Sequence, residues 1–399
     1  MWKIETERAD LFDVNMMISM EVKATGEFIQ DEIVEAFNNA VKLFEILNTK
    51  VFIDNDGNAY YKENDKNNNK VWFSPKTLNE LINEQEKIRF HIEEGEFLRL
   101  FVSLNNTENR FVFMLHHLGG DGKSLLYFIE AFFKSLNNES LEFNKISVLN
   151  KDTLPQNSKM PLVANAFINY FNKKWQKEKK FFSFEDMDKA FNDYWKNHKT
   201  NVEIQIIGQK ELSEELKECK DNGIGYTSYF IANKIKNIEK IQDIGLAVDG
   251  REDKNRTMSN QATGISIKYK YDNRKSIVDN AKRINSLMRK KLNNLKYKYF
   301  ILHFMATFDS TLVDAINLEH ANYFHSKTSE KLAEMLGYGS KTKDLSVTNL
   351  TKADIPIQYG NYKIDEITFV PPVVSYGKNI IGMITTNDKL IVTTHYYDN

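Results

Sequence analysis

The sequence predicts a layered α+β fold with helices packed on sheets, and three observations carry that expectation. Residues 31–47, DEIVEAFNNAVKLFEIL, place Ile33, Phe37, Val41, Phe44 and Leu47 on one stripe at helical spacing. Residues 96–136 read as two strands, a glycine-rich break and a helix with a wide apolar face. Residues 380–399 repeat the layout of residues 101–122: strand, short polar turn, and a strand ending in histidine, with Asp398 three residues beyond His395. Two related halves, the second with a degraded motif, is one reading of that repeat; two unrelated hairpins is the other. At 399 residues the chain is long enough for two ordinary domains or for one large core built from two similar halves.

In chain order, the helix at 31–47 is followed by VFIDNDGNAYY, whose Asp56-Gly57 pair between apolar runs signals a hairpin. ENDKNNNK, 63–70, is a polar loop, and this region reads as scaffold. In EFLRLFVSLNNTENRFVFMLHH, 96–117, two strands flank the polar turn NNTEN. Phe111, Phe113, Leu115 and His117 share one face of the second strand, and Val112, Met114 and His116 share the other. The following helix carries Leu125, Leu126, Phe128, Ile129, Phe132, Phe133 and Leu136. Residues 137–161 are polar and contain Pro155 and Pro161, and 162–199 are aromatic and basic. Acidic residues are interleaved there, so solvated helices connecting two halves fit better than a single-strand nucleic-acid platform. A strand at 201–208 opens the second half, and the helix reaching about Asp221 ends at Gly223. The expected division is 1–172 for the N-terminal half, 173–200 for connecting helices and 201–399 for the C-terminal half.

Composition narrows the function classes. Lys+Arg is 54 and Asp+Glu is 55, a formal net charge of -1, so no nucleic-acid partner is expected. Cys219 is the single cysteine; an intrachain disulfide is impossible, which favours a reducing compartment. The N-terminal residues MWKIETERADLF lack the basic start and apolar run of a signal peptide, and no apolar run approaches bilayer length. A cytoplasmic protein without membrane insertion, monomeric in solution, is the expectation.

The chemistry concentrates in MLHHLGGDGKS, residues 114–124. A phosphate-binding loop needs glycine five residues before Gly122, and that position is His117. A Cβ and an imidazole there oppose the backbone turn that cradles phosphate. A metal site built on His116, His117 and Asp121 meets strand alternation, which sends adjacent side chains to opposite faces. The other histidines are scattered, and no His-x-x-x-His or Cys pair supports a metal centre, so none is expected. The third reading is His-His-x-x-x-Asp-Gly, formed by His116, His117, Asp121 and Gly122, between a strand and a helix. A histidine there takes a proton from a hydroxyl or amine at neutral pH.

This motif resembles the signature of the chloramphenicol-acetyltransferase-like superfamily, which includes condensation domains, alcohol acetyltransferases and polyketide-associated acyltransferases. LAVDGREDKNRTMSNQATGISI, 246–267, is similar to the family's V-D-x-R segment and the asparagine after it, here Asp249, Arg251 and Asn260. LSVTNLTKADIPIQYG, 345–360, and the C-terminal residues are similar to its closing segments, although the plant branch's D-F-G-W-G is absent. The resemblance implies two αβ halves, each a mixed sheet covered by helices, meeting in a V around a tunnel. It implies His117 as general base, with His116 turned away and supporting the loop. Asp121 either orients the imidazole or pairs with Arg251, and the resemblance favours the pair. Gly122 gives close backbone approach and an N–H for the oxyanion; Ser346, Thr348, Asn349 and Asn260 are further oxyanion or tunnel candidates.

No bound cofactor is implied. The co-substrate is acyl-CoA or a phosphopantetheinyl thioester on an acyl carrier protein, and the acceptor is a small alcohol or amine. Two alternatives stand beside this acyltransferase reading: a stand-alone condensation enzyme joining carrier-bound substrates through an amide, and a non-catalytic relative that binds a carrier protein.

Overall fold

The computed structural model describes residues 1–105, 108–251, 256–339 and 342–398. Asn106 and Thr107 of the expected polar turn, and residues 252–255 of the segment at 246–267, lie outside the described residues. The N-terminal half runs β1 (Trp2–Ile4), β2 (Met17–Thr25), α1 (Gln30–Leu43), β3 (Thr49–Ile53), β4 (Ala59–Glu63), β5 (Lys70–Phe73), α2 (Leu78–Gln85), β6 (Leu98–Ser103), β7 (Asn109–His116) and α3 (Gly122–Leu136). Two helices follow, α4 (Leu162–Trp175) and α5 (Phe184–Asn197). Next come β8 (Thr200–Ile207), α6 (Gln209–Asp221), α7 (Tyr226–Lys234), β9 (Gln242–Asp249), β10 (Ala262–Tyr269), α8 (Ile277–Leu292) and α9 (Leu295–Lys298). The chain closes with α10 (Phe300–Thr307), α11 (Ser310–His320), α12 (Lys327–Leu336), β11 (Leu345–Lys352), β12 (Gln358–Tyr359), β13 (Tyr362–Val370), β14 (Asn379–Thr386) and β15 (Lys389–Tyr397).

Local chemistry explains where these elements stop. The β3–β4 turn closes on Asp54, whose Oδ1 accepts the N–H groups of Asp56 and Asn58, and Gly57 takes φ +80°. The first helix ends at Leu43, four residues short of the apolar stripe, because Phe44 is extended (φ -95°, ψ 104°) and bridges to Asn144. The Asn48 amide then caps the carbonyls of Val41 and Phe44 at 2.8 and 3.0 Å. Helix α6 ends before Gly223 at φ +64°, and the β14–β15 turn uses Asn387 and Asp388 at φ 49° and 60°. Three elements went unread in the sequence. Strand β2 alternates Ile18, Met20, Val22 and Ala24, which enter the core, with Ser19, Glu21, Lys23 and Thr25. Strand β5 is a four-residue edge strand. Helix α2 is short: a Thr77–Glu80 capping box opens it, and its stripe is Leu78, Leu81 and Ile82 alone.

Two six-stranded sheets, in orders β12-β13-β2-β7-β6-β5 and β10-β9-β11-β14-β15-β8, carry the molecule, with a small sheet β1-β4-β3 beside them. Four strands of each sheet correspond. β2 is antiparallel to β7, β7 to β6, and β6 is parallel to β5. β8 is antiparallel to β15, β15 to β14, and β14 is parallel to β11. The next element after β2 is α1 and the next after β8 is α6, so the repeated hairpin layout extends to a repeated topology. The sheets do not follow the expected division of the chain, because β12 and β13 from the C-terminal part extend the N-terminal sheet beyond β2.

One core runs from the N-terminal sheet and α3 through β13 to Ile384 and Ile391 of the C-terminal sheet. A second core, including Leu345, Val347, Ile381 and Val392, lies on that sheet's other face under α7 and α8. Helix α11 is buried along nearly its whole length, Thr311 to Leu318, and sits under the chain's N-terminal segment. Among the described residues no helix is long and apolar enough to cross a membrane.

Candidate active site

The register of β2 against β7 sets the site. Met17 pairs with His116, so β7 ends where β2 begins, and His117 opens a single 3₁₀ turn, His117–Gly119. The His117 N–H donates to the Met16 carbonyl at 2.9 Å and its carbonyl accepts from Gly120 at 3.1 Å. Its side chain remains 19% exposed among largely buried neighbours. His116 takes the opposite side. Its Nδ1 accepts the Leu118 N–H at 3.2 Å, and its ring packs edge-on against Phe90. Burial, with the charges of His117, Arg89 and Arg99, pushes its imidazole down to about 3, so His116 is neutral at neutral pH.

Asp121 caps α3: its Oδ1 accepts the Ser124 N–H at 2.9 Å and the Ser124 hydroxyl at 3.1 Å. Its Oδ2 accepts Arg251 Nη1 at 2.8 Å and the Gln261 N–H at 3.1 Å, and Arg251 Nη2 reaches Oδ1 at 3.2 Å. Arg251 leaves the end of β9, and its guanidinium also donates to Asp249, the Ser124 hydroxyl and the carbonyls of Thr257 and Ser259. Burial alone would raise the Asp121 carboxyl, but the Arg251 guanidinium and two backbone N–H groups hold it below the usual carboxylate range. Both oxygens are thus committed away from His117.

The carboxylate beside His117 belongs to Asp10. Asp10 Oδ2 lies 3.6 Å from His117 Nδ1 and accepts the Asn260 amide at 2.7 Å. Asp10 closes the turn Arg8–Asp10, whose Arg8 forms a buried bidentate pair with Asp314 at 2.7 and 2.5 Å. One residue before that turn, Glu7 accepts the Tyr61 hydroxyl at 2.7 Å, and the same hydroxyl reaches the Leu118 carbonyl at 2.9 Å. Burial raises the carboxyls of Glu7 and Asp10; for Asp10, His117 and Asn260 oppose that rise. Sequence reading missed Asp10 and Glu7, because "TERAD" looks like an ordinary charged turn and contacts as distant along the chain as Tyr61 for Glu7 and His117 for Asp10 leave no local trace.

The remaining candidates are dispersed. Gly122 begins α3, and the space its Cβ would take is bounded by Leu350 at 3.1 Å and the Phe369 ring at 3.2 Å. Asn349 donates to the Thr227 hydroxyl at 3.0 Å, and Ser346 sits opposite Gly245 and Ile380 in the sheet. Thr348 lies opposite Gly382. Among the described residues none of Ser346, Thr348 and Asn349 has a polar contact with His117, whereas Asn260 is joined to it through Asp10. Neither do the described residues contain a cluster of three His, Cys, Asp or Glu side chains suited to a metal ion.

Among solved structures, the condensation domain of the Monacolin K polyketide synthase MokA superposes with a TM-score of 0.63 at 12% identity, covering 99% of this chain and 91% of its own. The fold is that of the condensation domains. The same fold joins polyketide synthase associated protein 5 from Mycobacterium tuberculosis, with a TM-score of 0.64, 13% identity and coverage of 100% and 92%. It also joins the trichothecene 15-O-acetyltransferase TRI3 from Fusarium sporotrichioides, with a TM-score of 0.63, 12% identity and coverage of 98% and 89%. These condensation-domain and chloramphenicol-acetyltransferase-like neighbours match over nearly the whole chain. No family model and no curated protein matches the sequence.

Proposed function

We propose that this chain is a thioester-dependent acyltransferase in which His117 is the general base. The observation that carries the reading is the placement of His117: a partly exposed imidazole on a strand-loop-helix junction of a condensation-domain fold, with its neighbour His116 and Asp121 both turned into structural contacts. In the proposed reaction His117 Nε2 takes the proton of an acceptor hydroxyl or amine as that group attacks the thioester carbonyl. The C–S bond then breaks, and the thiolate leaves with the proton from the imidazolium. Such base catalysis is worth roughly 10²–10⁴-fold. Gly122 N–H, the first amide of α3, is a donor for the oxyanion. The donor is acyl-CoA or an acyl group on a carrier protein, and the chain's own residues carry the chemistry without a bound cofactor.

The test is a mass-spectrometric screen for CoA release, with a panel of acyl-CoA donors and pooled alcohols and amines, run in parallel with acyl groups on a carrier protein. Turnover with an acyl product on the acceptor is expected, and His117→Ala is expected to abolish it while leaving the unfolding curve unchanged. Full activity in that variant would remove His117 from the reaction. Turnover only with carrier-bound aminoacyl groups would move the reading to a stand-alone condensation enzyme. Binding of the carrier protein without product from any donor would leave the non-catalytic relative.

A further inference from the structure

We propose that Asp10 is the positioning residue of the His117 imidazole: its carboxylate accepts a hydrogen bond from Nδ1–H, which leaves the lone pair on Nε2, and its negative charge balances the imidazolium that forms when the acceptor proton arrives. The inference rests on the reading of His117 as general base.

The geometry singles out Asp10. His117 Nδ1 is a buried ring nitrogen with no hydrogen-bond partner among the described residues, and the carboxylate oxygen beside it is Asp10 Oδ2 at 3.6 Å. A movement of about half an ångström makes that contact a hydrogen bond, and catalytic hydrogen bonds are commonly long before substrate binds. The motif's own aspartate is not free for this task, since Arg251, Ser124 and Gln261 occupy both oxygens of Asp121.

The mount is rigid. The Asn260 amide holds the same Asp10 oxygen at 2.7 Å. Arg8, two residues away, is clamped by Asp314, and Asn317 donates to the Ala9 carbonyl, so α11 fixes the turn from below. Asn260 comes from the start of the β10 segment and His117 from the end of β7, so Asp10 ties the two halves together at the site. A buried carboxylate held by one amide, with an imidazole 3.6 Å away, is poised to stabilise a positive charge that appears only during turnover.

The charged and titratable groups around the pair come from every packed element. Glu7 and Tyr61 lie on the near side, His116 with Arg89 and Arg99 lies behind the imidazole, Asp121 acts on Glu7, and Tyr338 and Tyr376 feel Asp10 from the C-terminal part. Burial pushes the Asp10 carboxyl up, and His117 is the larger of the two groups pulling it back, ahead of Asn260.

The experiment is an NMR titration of the His117 ring in the full chain with isotope-labelled histidine, assigned by His117→Gln, in wild type, Asp10→Asn and Asn260→Ala. Removing the carboxylate charge beside Nδ1 is expected to lower the His117 midpoint. Removing the amide that stabilises that charge is expected to raise it, so the two variants move in opposite directions. With the acyl-CoA and acceptor found by the screen, Asp10→Asn is expected to lower kcat about 10–100-fold, change KM less than about threefold, and carry the acid limb of the rate profile down with the midpoint. A His117 midpoint in Asp10→Asn within about 0.2 units of wild type, with kcat within about twofold, overturns the proposal. If Asp10→Asn fails to fold, the Asn260→Ala titration decides alone, and an unmoved midpoint overturns it. Failure of the underlying reading looks different: His117→Ala then keeps full turnover, whereas failure of the positioning role alone leaves His117→Ala inactive beside an active Asp10→Asn.

Discussion

His116 and His117 are neighbours in sequence and opposites in environment, and the contrast shows how one residue step on a strand end separates structural from chemical roles. His116 is driven to the neutral form by burial, while His117 keeps a partly exposed ring next to Asp10. The network around Asp121 makes an equally local prediction. Arg251→Met would leave the Asp121 carboxylate buried with only the Ser124 and Gln261 donors, and losing one partner of a buried pair costs about 3–5 kcal/mol. Urea unfolding of Arg251→Met is expected to show a loss of that size. The double variant Arg251→Met/Asp121→Asn is expected to recover part of it, because the stranded charge is gone. Two parallel, equally small losses would mean that the pair contributes little. At this scale the Asp121–Arg251 pair was legible only through the resemblance of the two motifs to the family's signature segments, since the residues alone left open whether Asp121 orients the imidazole. Asp10 could not be read that way, because nothing in "TERADLF" marks one acid as facing a histidine more than a hundred residues on.

At the scale of elements, the loop between β7 and α3 is what presents His117, and its shape depends on Gly120. That residue sits at φ +147°, and a Cβ there would lie 2.6 Å from Ser124 Cβ and 2.9 Å from its Oγ. Ser124 cannot yield, since it is held by Asp121, Arg251 and Ser259. Gly120→Ala is therefore expected to cost about 3 kcal/mol, from backbone strain and overpacking together. Denaturant midpoints compared with a Gly223→Ala control would check this, because nothing lies within 4 Å of a Cβ at Gly223 and only its backbone conformation, φ +64°, is strained. A midpoint shift at Gly120 no larger than at Gly223 would refute the packing argument. Helix α1, with its single apolar stripe, and the β6–β7 and β14–β15 hairpins, apolar runs separated by a polar turn, were legible as patterns in the sequence. Strand β2 carries a period-two pattern, Ile18, Met20, Val22 and Ala24, that the reading passed over, whereas the placement of β13 beside it is a long-range pairing that leaves no local signal.

The whole molecule is strapped by its own first residues. Before β2 begins, the chain touches α11 through Arg8, the β10 segment through Asp10, and the loop after β13 through Asp13. Asp13 is buried, its Oδ1 accepting the Asn15 N–H and its Oδ2 the Ser375 N–H, both at 3.1 Å. Two N–H donors do not repay the loss of water, so burial pushes its carboxyl up to about 7 from an ordinary value of 3.8. Between those values the folded chain holds a proton that the unfolded chain releases. Stability contributed by neutral Asp13 is therefore fully present below about pH 4 and lost as pH rises through about 7. The full span corresponds to ~4 kcal/mol at 1.36 kcal/mol per unit, an order-of-magnitude figure. An asparagine carries no such charge, although its amide meets the Ser375 N–H badly and sets a constant penalty at every pH. The stability of Asp13→Asn relative to wild type is thus expected to climb by a few kcal/mol between pH 5 and pH 8 and to level off above that. Chemical denaturation of both proteins at half-unit steps measures the difference directly, and titrations elsewhere in the chain cancel in it. Parallel curves across that range would mean that Asp13 is not the proton-coupled point of the strap.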